Sequence, residues 1–477
     1  MIRVLSVTSE CVPFVKTGGL ADVAGALPPA LAAAGVDMRT LLPGYPAVLA
    51  AVKRGRVILE EPALFGGRAR VLSAKIAGLA MLVLDAPHLF DRDGGLYGNA
   101  EGQDWPDNPE RFAALSWVGA KIAAEGVGSW KPDVLHGHDW QAGLAPYYLK
   151  RRFAASVPTV LTIHNIAFHG LAPASKILNL QLDTADFTQD GFEFWGNVSA
   201  LKAGLVFADK LTTVSPTYAQ ELTREEFGMG LDGVVRARSA DFIGILNGID
   251  TDVWNPATDT LIASPYKTAR GKAKNKAALR AEFDLAETDG PLCIVVSRLT
   301  EQKGLDLLLE AMPALTDNGG QLALLGTGDP ALETAFLKAS AHENVAVRIG
   351  YDEALSHRMI AGGDAILIPS RFEPCGLTQL FGLRYGTVPV VTLTGGLADT
   401  VINASAAGLA AGAATGIQIF PTTTQAVAQG LARLCELFGQ PKTWGTMTRK
   451  AMAHPVGWET SARAYGALYA ELAAQSR

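Results

Sequence analysis

The chain has 477 residues, a formal net charge of −6 and a hydrophobic content of 48%. This acidic balance disfavours binding to nucleic acid or to an anionic membrane, and no segment approaches the ~20 uninterrupted apolar residues needed to span a bilayer. The four cysteines form no C-x-x-C pair, so we expect a reduced, cytoplasmic protein without a disulfide framework or a zinc module. A strand pattern begins by Arg3, so we also expect no signal or transit peptide.

Strand-like runs alternate with helical patterns through the first half of the chain. The predicted strands are VLSVTS, MRTLLP, RVLSAKI, LAMLVLDA, PDVLHGH, TVLTIHN, KLTTVS and FIGIL, and the predicted helices span 21–34, 108–125, 142–153 and 194–207. A polar segment follows from Pro256 to Gly290. We interpret its basic residues as a solvated helix face, with a ligand-binding patch as the alternative; they are Lys267, Arg270, Lys272, Lys274 and Lys276.

A second α/β series begins at Pro291. Its predicted strands are LCIVVSR, QLALLGTG, VAVRIG, AILIPS, VPVVTL and GIQIF, and its predicted helices span 304–314, 331–341, 355–361 and 377–385. Alternation at this spacing predicts β-α-β units with parallel sheets, and a domain boundary near residues 243–250. The chain ends in a predicted amphipathic helix. The apolar face of that helix carries Trp458, Ala462, Tyr465, Tyr469 and Leu472.

The hexapeptide Thr-Gly-Gly-Leu-Ala-Asp occurs twice, at Thr17–Asp22 and at Thr394–Asp399. Each copy follows a strand-like run and leads into a helical pattern. Adjacent glycines let the backbone turn tightly, and the helix that follows presents unpaired N–H groups and the positive end of its dipole. Such loops bind anions, usually phosphate. Two copies therefore predict two similar α/β domains facing one charged ligand, although both could be ordinary strand-to-helix turns.

Cations follow several of the predicted strands. Ligands of open α/β sheets bind beyond the carboxyl ends of the strands. Glu10, Lys16 and the first glycine loop come after the first strand, and Arg298 and Lys303 follow the first strand of the second half. Each cation alone could be a surface charge, but three at strand ends beside glycine loops suit a diphosphate.

Glu373 is the candidate for binding sugar hydroxyls. It precedes a proline turn and a predicted helix, where a carboxylate can accept bonds from two vicinal hydroxyls or simply cap the helix. Aromatic side chains that could stack on a sugar ring are Tyr97, Trp105, Trp140 and Trp195, each of which could equally belong to a core.

Histidines end two further predicted strands. His136 and His138 are followed by Asp139, and His164 is followed by Asn165. His136 and His138, together with Asp139, could bind a metal, but no further ligand appears at motif spacing, so we favour sugar binding and packing at the strand end. His164 is either a core histidine or part of a site, and its position beside Asn165 favours the site.

Six motifs, which include the three candidate cations, Glu373 and the histidines, resemble those of bacterial glycogen synthases and plant starch synthases. The motifs run through the whole chain in the same order: KTGGLADV at 16–23, HGHDW at 136–140, TIHN at 162–165, NGID at 247–250, SRLTEQKG at 297–304 and PSRFEPCGL at 369–377.

The resemblance implies an α/β fold of two Rossmann-like doubly wound domains facing a central cleft, the GT-B type. The N-terminal domain, on the acceptor side, would span 1–245. The C-terminal domain, on the nucleotide-sugar side, would span 246–456, and a final helix at 457–477 would return to the first domain.

The same resemblance assigns roles to individual residues. Arg298 and Lys303 would hold the diphosphate and stabilise it as it leaves, Glu373 would bind the glucose hydroxyls, and His164 and Asp139 would lie near the reacting sugar. The remaining candidate substrate-binding residues are Lys16, Gly18, Gly19, Asp22, Tyr97, Asn165, Asn247, Cys375, Gly376, Leu377, Thr394, Gly395 and Gly396.

The implied activity is that of a retaining glucosyltransferase, which moves glucose from ADP-glucose to the non-reducing 4-hydroxyl of an α-1,4-glucan such as glycogen. We expect no cofactor and no metal ion, and no nucleic-acid or membrane partner. Two alternatives stay open at this point. One is a sugar-nucleotide epimerase on a similar two-domain fold, and the other is a non-catalytic glucan-binding protein.

Overall fold

The computed structural model describes residues 1–99 and 101–475, and it divides the chain into two compact units. Unit 1 comprises Met1–Asn247 together with Trp458–Arg477, and unit 2 comprises Gly248–Gly457. Among the described residues, no helix combines the length and the apolar character that crossing a membrane requires. The four cysteines are free, and three of them are buried.

Unit 1 contains one large sheet and one small sheet. Its strands are β1 Ile2–Val7, β2 Val36–Pro43, β3 Arg56–Leu64, β4 Gly67–Ile76, β5 Leu79–Asp85, β6 Val134–His138, β7 Thr159–Ile163, β8 Leu171–Pro173, β9 Glu193–Phe194, β10 Asn197–Ser199, β11 Lys210–Thr213 and β12 Phe242–Gly244. The nine-stranded sheet has the order β12-β11-β7-β6-β1-β2-β5-β4-β3, and the three-stranded sheet has the order β8-β10-β9. Every residue of β6 and β7 is buried, as expected for parallel strands covered on both faces.

The helices of unit 1 that precede the boundary cover this sheet. They are α1 Gly19–Ala32, α2 Pro46–Ala51, α3 Pro87–Phe90, α4 Asn108–Glu125, α5 Ala145–Arg151, α6 Ala200–Phe207, α7 Pro216–Glu221 and α8 Asp232–Ala237. A short 3-10 turn at Trp140–Ala142 precedes α5, so the predicted helix at 142–153 is shorter in the structure.

The expectation of purely parallel sheets is wrong at one edge of unit 1. There β3, which the sequence analysis missed, pairs antiparallel with β4, and β4 pairs antiparallel with β5. Ala77 and Gly78 join β4 to β5 with φ values of 49° and 85°. Such a two-residue turn with two positive φ angles forms a hairpin rather than a β-α-β crossover.

The predicted helix at 194–207 is wrong in its first half. Residues before Ala200 form the β9–β10 hairpin, whose turn consists of Trp195 and Gly196 with φ values of 48° and 79°. The helix begins only after Ser199, whose hydroxyl accepts a backbone N–H bond from the first turn. Trp195 is consequently exposed rather than packed on a helix face.

Unit 2 is a doubly wound α/β domain with a fully parallel sheet. Its strands are β13 Leu292–Val296, β14 Gln321–Gly326, β15 Val345–Ile349, β16 Ala365–Ile368, β17 Val388–Thr392 and β18 Ile417–Ile419. Their order is β15-β14-β13-β16-β17-β18. This is the Rossmann order, which reverses direction between β13 and β16. Ligands of such sheets bind at that switch point, and the loops after β13 and β16 carry Arg298, Lys303 and Glu373.

The helices of unit 2 include two that the sequence analysis missed, α17 and α18. The full set is α9 Lys272–Glu282, α10 Leu305–Ala311, α11 Pro313–Thr316, α12 Pro330–Ala339, α13 Glu353–Gly362, α14 Thr378–Tyr385, α15 Gly395–Thr400, α16 Ala406–Ala410, α17 Thr424–Phe438 and α18 Pro441–Ala453.

The interpretation of the basic segment as a solvated face is wrong for its central residue. Lys272 is 8% exposed, and its ammonium group donates to the carbonyls of Ala361 and Tyr385 and to the hydroxyl of Thr387. Burial lowers the pKa of Lys272 to about 7. These acceptors come from distant parts of the chain, so composition alone could not reveal them. Lys274, by contrast, is exposed as expected.

The last helix, α19 Glu459–Gln475, belongs to unit 1 and contacts α1 and β1. All five residues of its predicted apolar face are buried, which confirms that pattern: Trp458, Ala462, Tyr465, Tyr469 and Leu472.

Candidate active site

In unit 2, the loops that follow β13 and β16 are joined to each other. The two strands are parallel neighbours, so their carboxyl ends lie at the same edge of the sheet. Arg371 N donates to Gln302 O at 2.8 Å, and Gln302 Nε2 donates to Phe372 O at 3.2 Å. At the same level Lys303 Nζ lies 2.6 Å from Glu373 Oε2. The structure therefore brings two of the predicted site residues into direct contact.

Glycine at position 304 permits this close approach. Gly304 has φ 62°, and a Cβ atom built on it would lie 2.0 Å from the carbonyl oxygen of Pro369. No side chain fits at that distance, because the obstructing atom belongs to the backbone. The local sequence Lys-Gly thus lets the loop after β13 lie directly against the loop after β16.

The carboxylate of Glu373 is buried, and one of its two oxygens has two hydrogen-bond donors. Glu373 is 7% exposed, and its Oε2 atom accepts bonds from Lys303 Nζ and from Ser370 Oγ at 2.9 Å. Charge-assisted bonds of this kind are about twice as strong as neutral ones. The carboxylate is therefore held in one orientation, as a group that recognises a ligand must be.

Gln379, to which the sequence analysis gave no role, fixes the segment after Glu373. Its side-chain amide is fully buried and donates to the carbonyls of Cys375 and Gly376, both at 2.9 Å. Leu377 then leads into α14. The signal in the sequence is a glutamine within the first turn of a predicted helix, where an amide can reach back to the preceding loop.

The second glycine loop joins this site from β17, the neighbour of β16. Gly396 N donates to the carbonyl oxygens of Glu373 and Pro374, both at 3.1 Å. Gly395 has φ 44°, and a Cβ atom there would lie 2.0 Å from the Glu373 carbonyl. This loop therefore supports the Glu373 segment, and Thr394 is the N-cap position of the six-residue helix α15.

Arg298 differs from the other candidates because it is exposed. It comes two residues after β13, and Leu299 is held by a backbone bond to Thr327 O at 2.9 Å. In the part of the chain that the structure describes, no ion pair involves the Arg298 guanidinium. Its charge remains available to an anionic ligand.

In unit 1, the candidates gather at the carboxyl ends of β1, β6 and β7, which are adjacent in the sheet. Asp139 follows β6 with φ 53°, an unusual value for a non-glycine residue. Its Oδ1 atom accepts the backbone N–H groups of His164 at 2.6 Å and of Asn165 at 3.3 Å. Burial raises the pKa of Asp139 to about 7. Three predicted site residues are thus brought together.

His138 links His164 to the first strand. His138 Nδ1 lies 3.0 Å from His164 Nε2, and His138 Nε2 lies 3.1 Å from Ser6 Oγ. Burial lowers the pKa of His138 to about 3 and that of His164 well below its usual value. Both rings are therefore neutral near pH 7, and they act as a hydrogen-bonded chain rather than as a pair of cations.

His136 belongs to the interior of unit 1. Its Nδ1 and Nε2 atoms lie 2.7 Å from the Tyr469 hydroxyl and 2.6 Å from Thr162 Oγ1. Both ring nitrogens are therefore engaged in packing α19 and β7 against β6. Within residues 1–99 and 101–475, no group of three or more His, Cys, Asp or Glu side chains is arranged to hold a metal ion.

Two carboxylates of unit 1, those of Asp22 and Glu10, contact the first glycine loop. Lys16 Nζ lies 2.9 Å from Asp22 Oδ1 across the loop. The carboxylate of Glu10 accepts bonds from Thr17 and Gly18 and from the hydroxyl of Tyr97. Glu10 was expected at a strand end, but no role was predicted for it. The available signal was an acid between a buried strand and a glycine loop.

Asn247 is the last residue of the first segment of unit 1, and it is buried. Its side-chain oxygen has no hydrogen-bond partner in the described part of the chain. A buried amide oxygen without a partner is rare, which singles Asn247 out among the predicted binding residues.

Comparison with known proteins gives a consistent result over the whole chain. The family model described as Starch synthase catalytic domain matches residues 3–237, and Glycosyl transferases group 1 matches residues 279–451. The glycogen synthase of Paracoccus denitrificans is 64% identical over 475 residues, which cover 99% of this chain and 100% of that protein. The glycogen synthase of Jannaschia sp. is 60% identical over 470 residues and covers 98% and 99%.

Solved structures of related enzymes also resemble this chain. The catalytic domain of starch synthase IV from Arabidopsis thaliana, bound to ADP and acarbose, matches with a TM-score of 0.88 and 31% identity over 99% of both chains. A sucrose-phosphate synthase from Thermosynechococcus elongatus shares the fold, with a TM-score of 0.60 at 20% identity over 100% of both chains. The predicted resemblance and the predicted GT-B type fold are confirmed, and the chain belongs to the glycogen synthase family of glucosyltransferases.

Proposed function

We propose that the protein transfers glucose from ADP-glucose to the non-reducing 4-hydroxyl of an α-1,4-glucan, with retention of the α configuration. The contact between Lys303 and Glu373 supports this proposal most directly. It joins a cation suited to phosphate and a carboxylate suited to sugar hydroxyls at the switch point of a Rossmann sheet. The Arabidopsis starch synthase domain, whose structure contains ADP and acarbose, is consistent with a nucleotide-sugar donor and a glucan acceptor.

In unit 2, we assign the diphosphate to Arg298 and Lys303. Arg298 offers a planar fork for phosphate oxygens, and Lys303 a compact ammonium group. Preorganised cations stabilise the charge that develops on the leaving diphosphate, and such electrostatic stabilisation is usually the largest single catalytic effect. Glu373 and the backbone of Cys375 and Gly376 would bind the glucose hydroxyls.

In unit 1, we assign the sugar side of the reaction to His164, Asp139 and Asn165. Because the His164 imidazole is neutral, it orients a hydroxyl by hydrogen bonding and does not supply a positive charge. Lys16 would contact the donor from the first glycine loop.

We propose a front-face mechanism for retention. The bond from the anomeric carbon to the phosphate oxygen breaks, the bond to the acceptor's 4-oxygen forms on the same face, and the acceptor's proton passes to the departing phosphate oxygen. We assign no covalent nucleophile of the kind that retaining glycosidases use. Glu373 is paired with Lys303, and the Asp139 carboxyl accepts backbone amides, has a raised pKa and is poorly suited to attack.

A donor panel tests this proposal. The purified protein is incubated with glycogen and ADP-, UDP- or GDP-glucose, and release of the nucleotide and growth of the glucan are both measured. We expect ADP-glucose to be used best, and linkage analysis to show new α-1,4 bonds. Isomerised nucleotide sugar with the donor alone would indicate an epimerase, and glucan binding without nucleotide release would indicate a non-catalytic protein. Either result would overturn the proposal.

We further propose that the protein works in the cytoplasm and without a metal ion or other cofactor. The four free cysteines are consistent with a reducing compartment. The positive charges that a metal would otherwise supply to the leaving group are carried by Arg298 and Lys303.

A further inference from the structure

The carboxylate of Glu10 occupies the centre of the first glycine loop. Its Oε2 atom accepts the backbone N–H groups of Thr17 at 2.5 Å and of Gly18 at 3.3 Å. Its Oε1 atom accepts the hydroxyls of Thr17 at 2.5 Å and of Tyr97 at 2.6 Å. Glu10 is only 3% exposed, so these four donors replace water around a nearly buried carboxylate.

The donors around Glu10 are themselves fixed. Ser9 Oγ lies 2.7 Å from the Tyr97 hydroxyl. Burial raises the pKa of Tyr97 well above its usual value, so the phenol keeps its proton and donates a hydrogen bond to Glu10. The backbone of Glu10 is held in turn by Thr8, whose Oγ1 donates to the Glu10 carbonyl at 3.1 Å. The carboxylate therefore has little freedom to leave the loop.

This arrangement changes what the first copy of the hexapeptide offers to a ligand. A loop of this sequence at the start of a helix presents N–H groups that bind an anion. Here the N–H groups of Thr17 and Gly18 already bind an anion, and it belongs to the protein. A phosphate bound at the same N–H groups would have to displace a buried carboxylate or lie against its negative charge.

We propose, on the basis of the proposed function, that Glu10 is the positioning residue of the first glycine loop, and that the loop meets the donor through Lys16 rather than by binding phosphate with its Thr17 and Gly18 amides. Glu10 holds the backbone on one side of Lys16, while Asp22 lies 2.9 Å from the Lys16 ammonium group on the other. A displacement of about 1 Å in such a group costs on the order of a hundredfold in rate.

Two substitutions of Glu10 separate the positioning role from a merely structural one. In Glu10→Gln, the amide oxygen takes the Oε2 position and still accepts both N–H groups, while the two hydroxyls rotate to accept from the new NH2 group. In Glu10→Ala, the loop loses all four bonds. We expect Glu10→Gln to keep most of the kcat/KM for ADP-glucose, and Glu10→Ala to lose on the order of a hundredfold.

Acetate provides the decisive measurement, because it matches the group that Glu10→Ala removes. We expect millimolar acetate to restore part of the kcat/KM of Glu10→Ala in a saturable manner, and to leave the wild type and Glu10→Gln unchanged. Glu60→Ala, which removes an exposed carboxylate of β3, is the matched control and should behave as wild type.

The wild type is assayed first with ADP-glucose and glycogen, so that failure of the proposed function is recognised separately. Given an active wild type, a Glu10→Ala variant with normal kcat/KM would overturn the positioning role. The positioning role would also be overturned if Glu10→Ala lost activity only in proportion to its folded fraction, acetate restored none of it, and Glu10→Gln had no higher kcat/KM than Glu10→Ala. Competitive inhibition of the wild type by inorganic phosphate that persists in Lys16→Ala but that Thr17→Pro abolishes would show that the loop amide binds phosphate directly, and would also overturn it.

Discussion

Lys303 and Glu373 form a 2.6 Å ion pair in which both side chains are largely buried. The resemblance assigned these residues to opposite parts of the donor, Lys303 to the diphosphate and Glu373 to the glucose. In the structure, however, the two side chains neutralise each other's charge. Removing either one leaves a buried charge without its partner, which costs more than losing a surface ion pair.

The first prediction concerns Lys303→Ala. We expect kcat to fall about a hundredfold or more, because a cation that stabilises the departing diphosphate contributes about 3 kcal/mol. We also expect a lower Tm, because the Glu373 carboxylate loses its cation. Steady-state kinetics and thermal unfolding measure the two effects. Lys274→Ala, which removes an exposed lysine of α9, is the control. A Lys303→Ala enzyme with near-normal turnover would remove Lys303 from the mechanism.

Arg298→Ala should lower activity without lowering stability. The guanidinium is exposed and makes no ion pair in the described part of the chain, so its loss leaves no buried charge behind. We expect kcat/KM for ADP-glucose to fall at least tenfold while Tm stays within about 1 °C of the wild type, as is usual for surface substitutions. Arg270→Ala, at another exposed arginine of unit 2, should change neither quantity. A clear drop in Tm would contradict the view that Arg298 serves the ligand alone.

The two copies of the hexapeptide show what the sequence could and could not predict. Both were predicted as strand-to-helix loops, and both are. However, the first leads into a helix of 14 residues and the second into one of six. The N–H groups of the first are bound by the Glu10 side chain, and Gly396 N in the second is bound by backbone carbonyls. Identical local sequences differ here because their partners come from other segments, which local propensity does not include.

Local sequence also explains which strands and which exposed side chains were predicted correctly and which were not. Buried parallel strands such as β7 and β14 read as short apolar runs, so their positions were predicted well. The edge strand β3 is largely exposed, and it gave no such signal. Lys272 looked like a surface charge because its carbonyl and hydroxyl acceptors lie about 90 to 115 residues further along the chain.

A third prediction compares the two glycine loops by adding one methyl group to each. In Gly395→Ala the new Cβ meets the Glu373 carbonyl at 2.0 Å, at a residue whose φ is already 44°. We expect this variant to lose at least about 2 kcal/mol of stability and most of its activity. Gly18 has no atom within 4 Å of a new Cβ and an extended backbone, so Gly18→Ala should cost under about 1 kcal/mol. Urea unfolding measures both, and equal losses would contradict the structure.

Chelation is the fourth test. We expect dialysis against EDTA to leave the transfer of glucose unchanged, because Arg298 and Lys303 supply the positive charge that the leaving diphosphate needs. Activity is measured before and after dialysis, with and without added Mg²⁺ or Mn²⁺. Loss of activity on chelation, restored by a divalent ion, would mean that the proposed mechanism lacks an essential component.

The fifth prediction follows from the buried carboxyl of Asp139. Burial raises its pKa in the folded protein to about 7, above the value near 4 expected when the chain is unfolded. The folded state therefore holds this proton more tightly. The stability that Asp139 contributes is fully present below pH 4 and is lost as the pH rises through about 7. Between pH 5 and pH 8 this loss amounts to about 2–3 kcal/mol.

Asp139→Asn should remove this pH dependence while keeping the local structure. The amide oxygen still accepts the N–H groups of His164 and Asn165, but the side chain no longer titrates. We expect the variant to gain stability relative to the wild type as the pH rises from 5 to 8, with the difference approaching 2–3 kcal/mol. Unfolding of both proteins in urea at the two pH values measures it, and Asp93→Asn, at an exposed aspartate, is the control. If the difference between Asp139→Asn and the wild type were the same at both pH values, the Asp139 carboxyl would already be ionised in the folded protein at pH 5. Its proposed place beside the reacting sugar would then be that of a fixed negative charge rather than of a protonated acid.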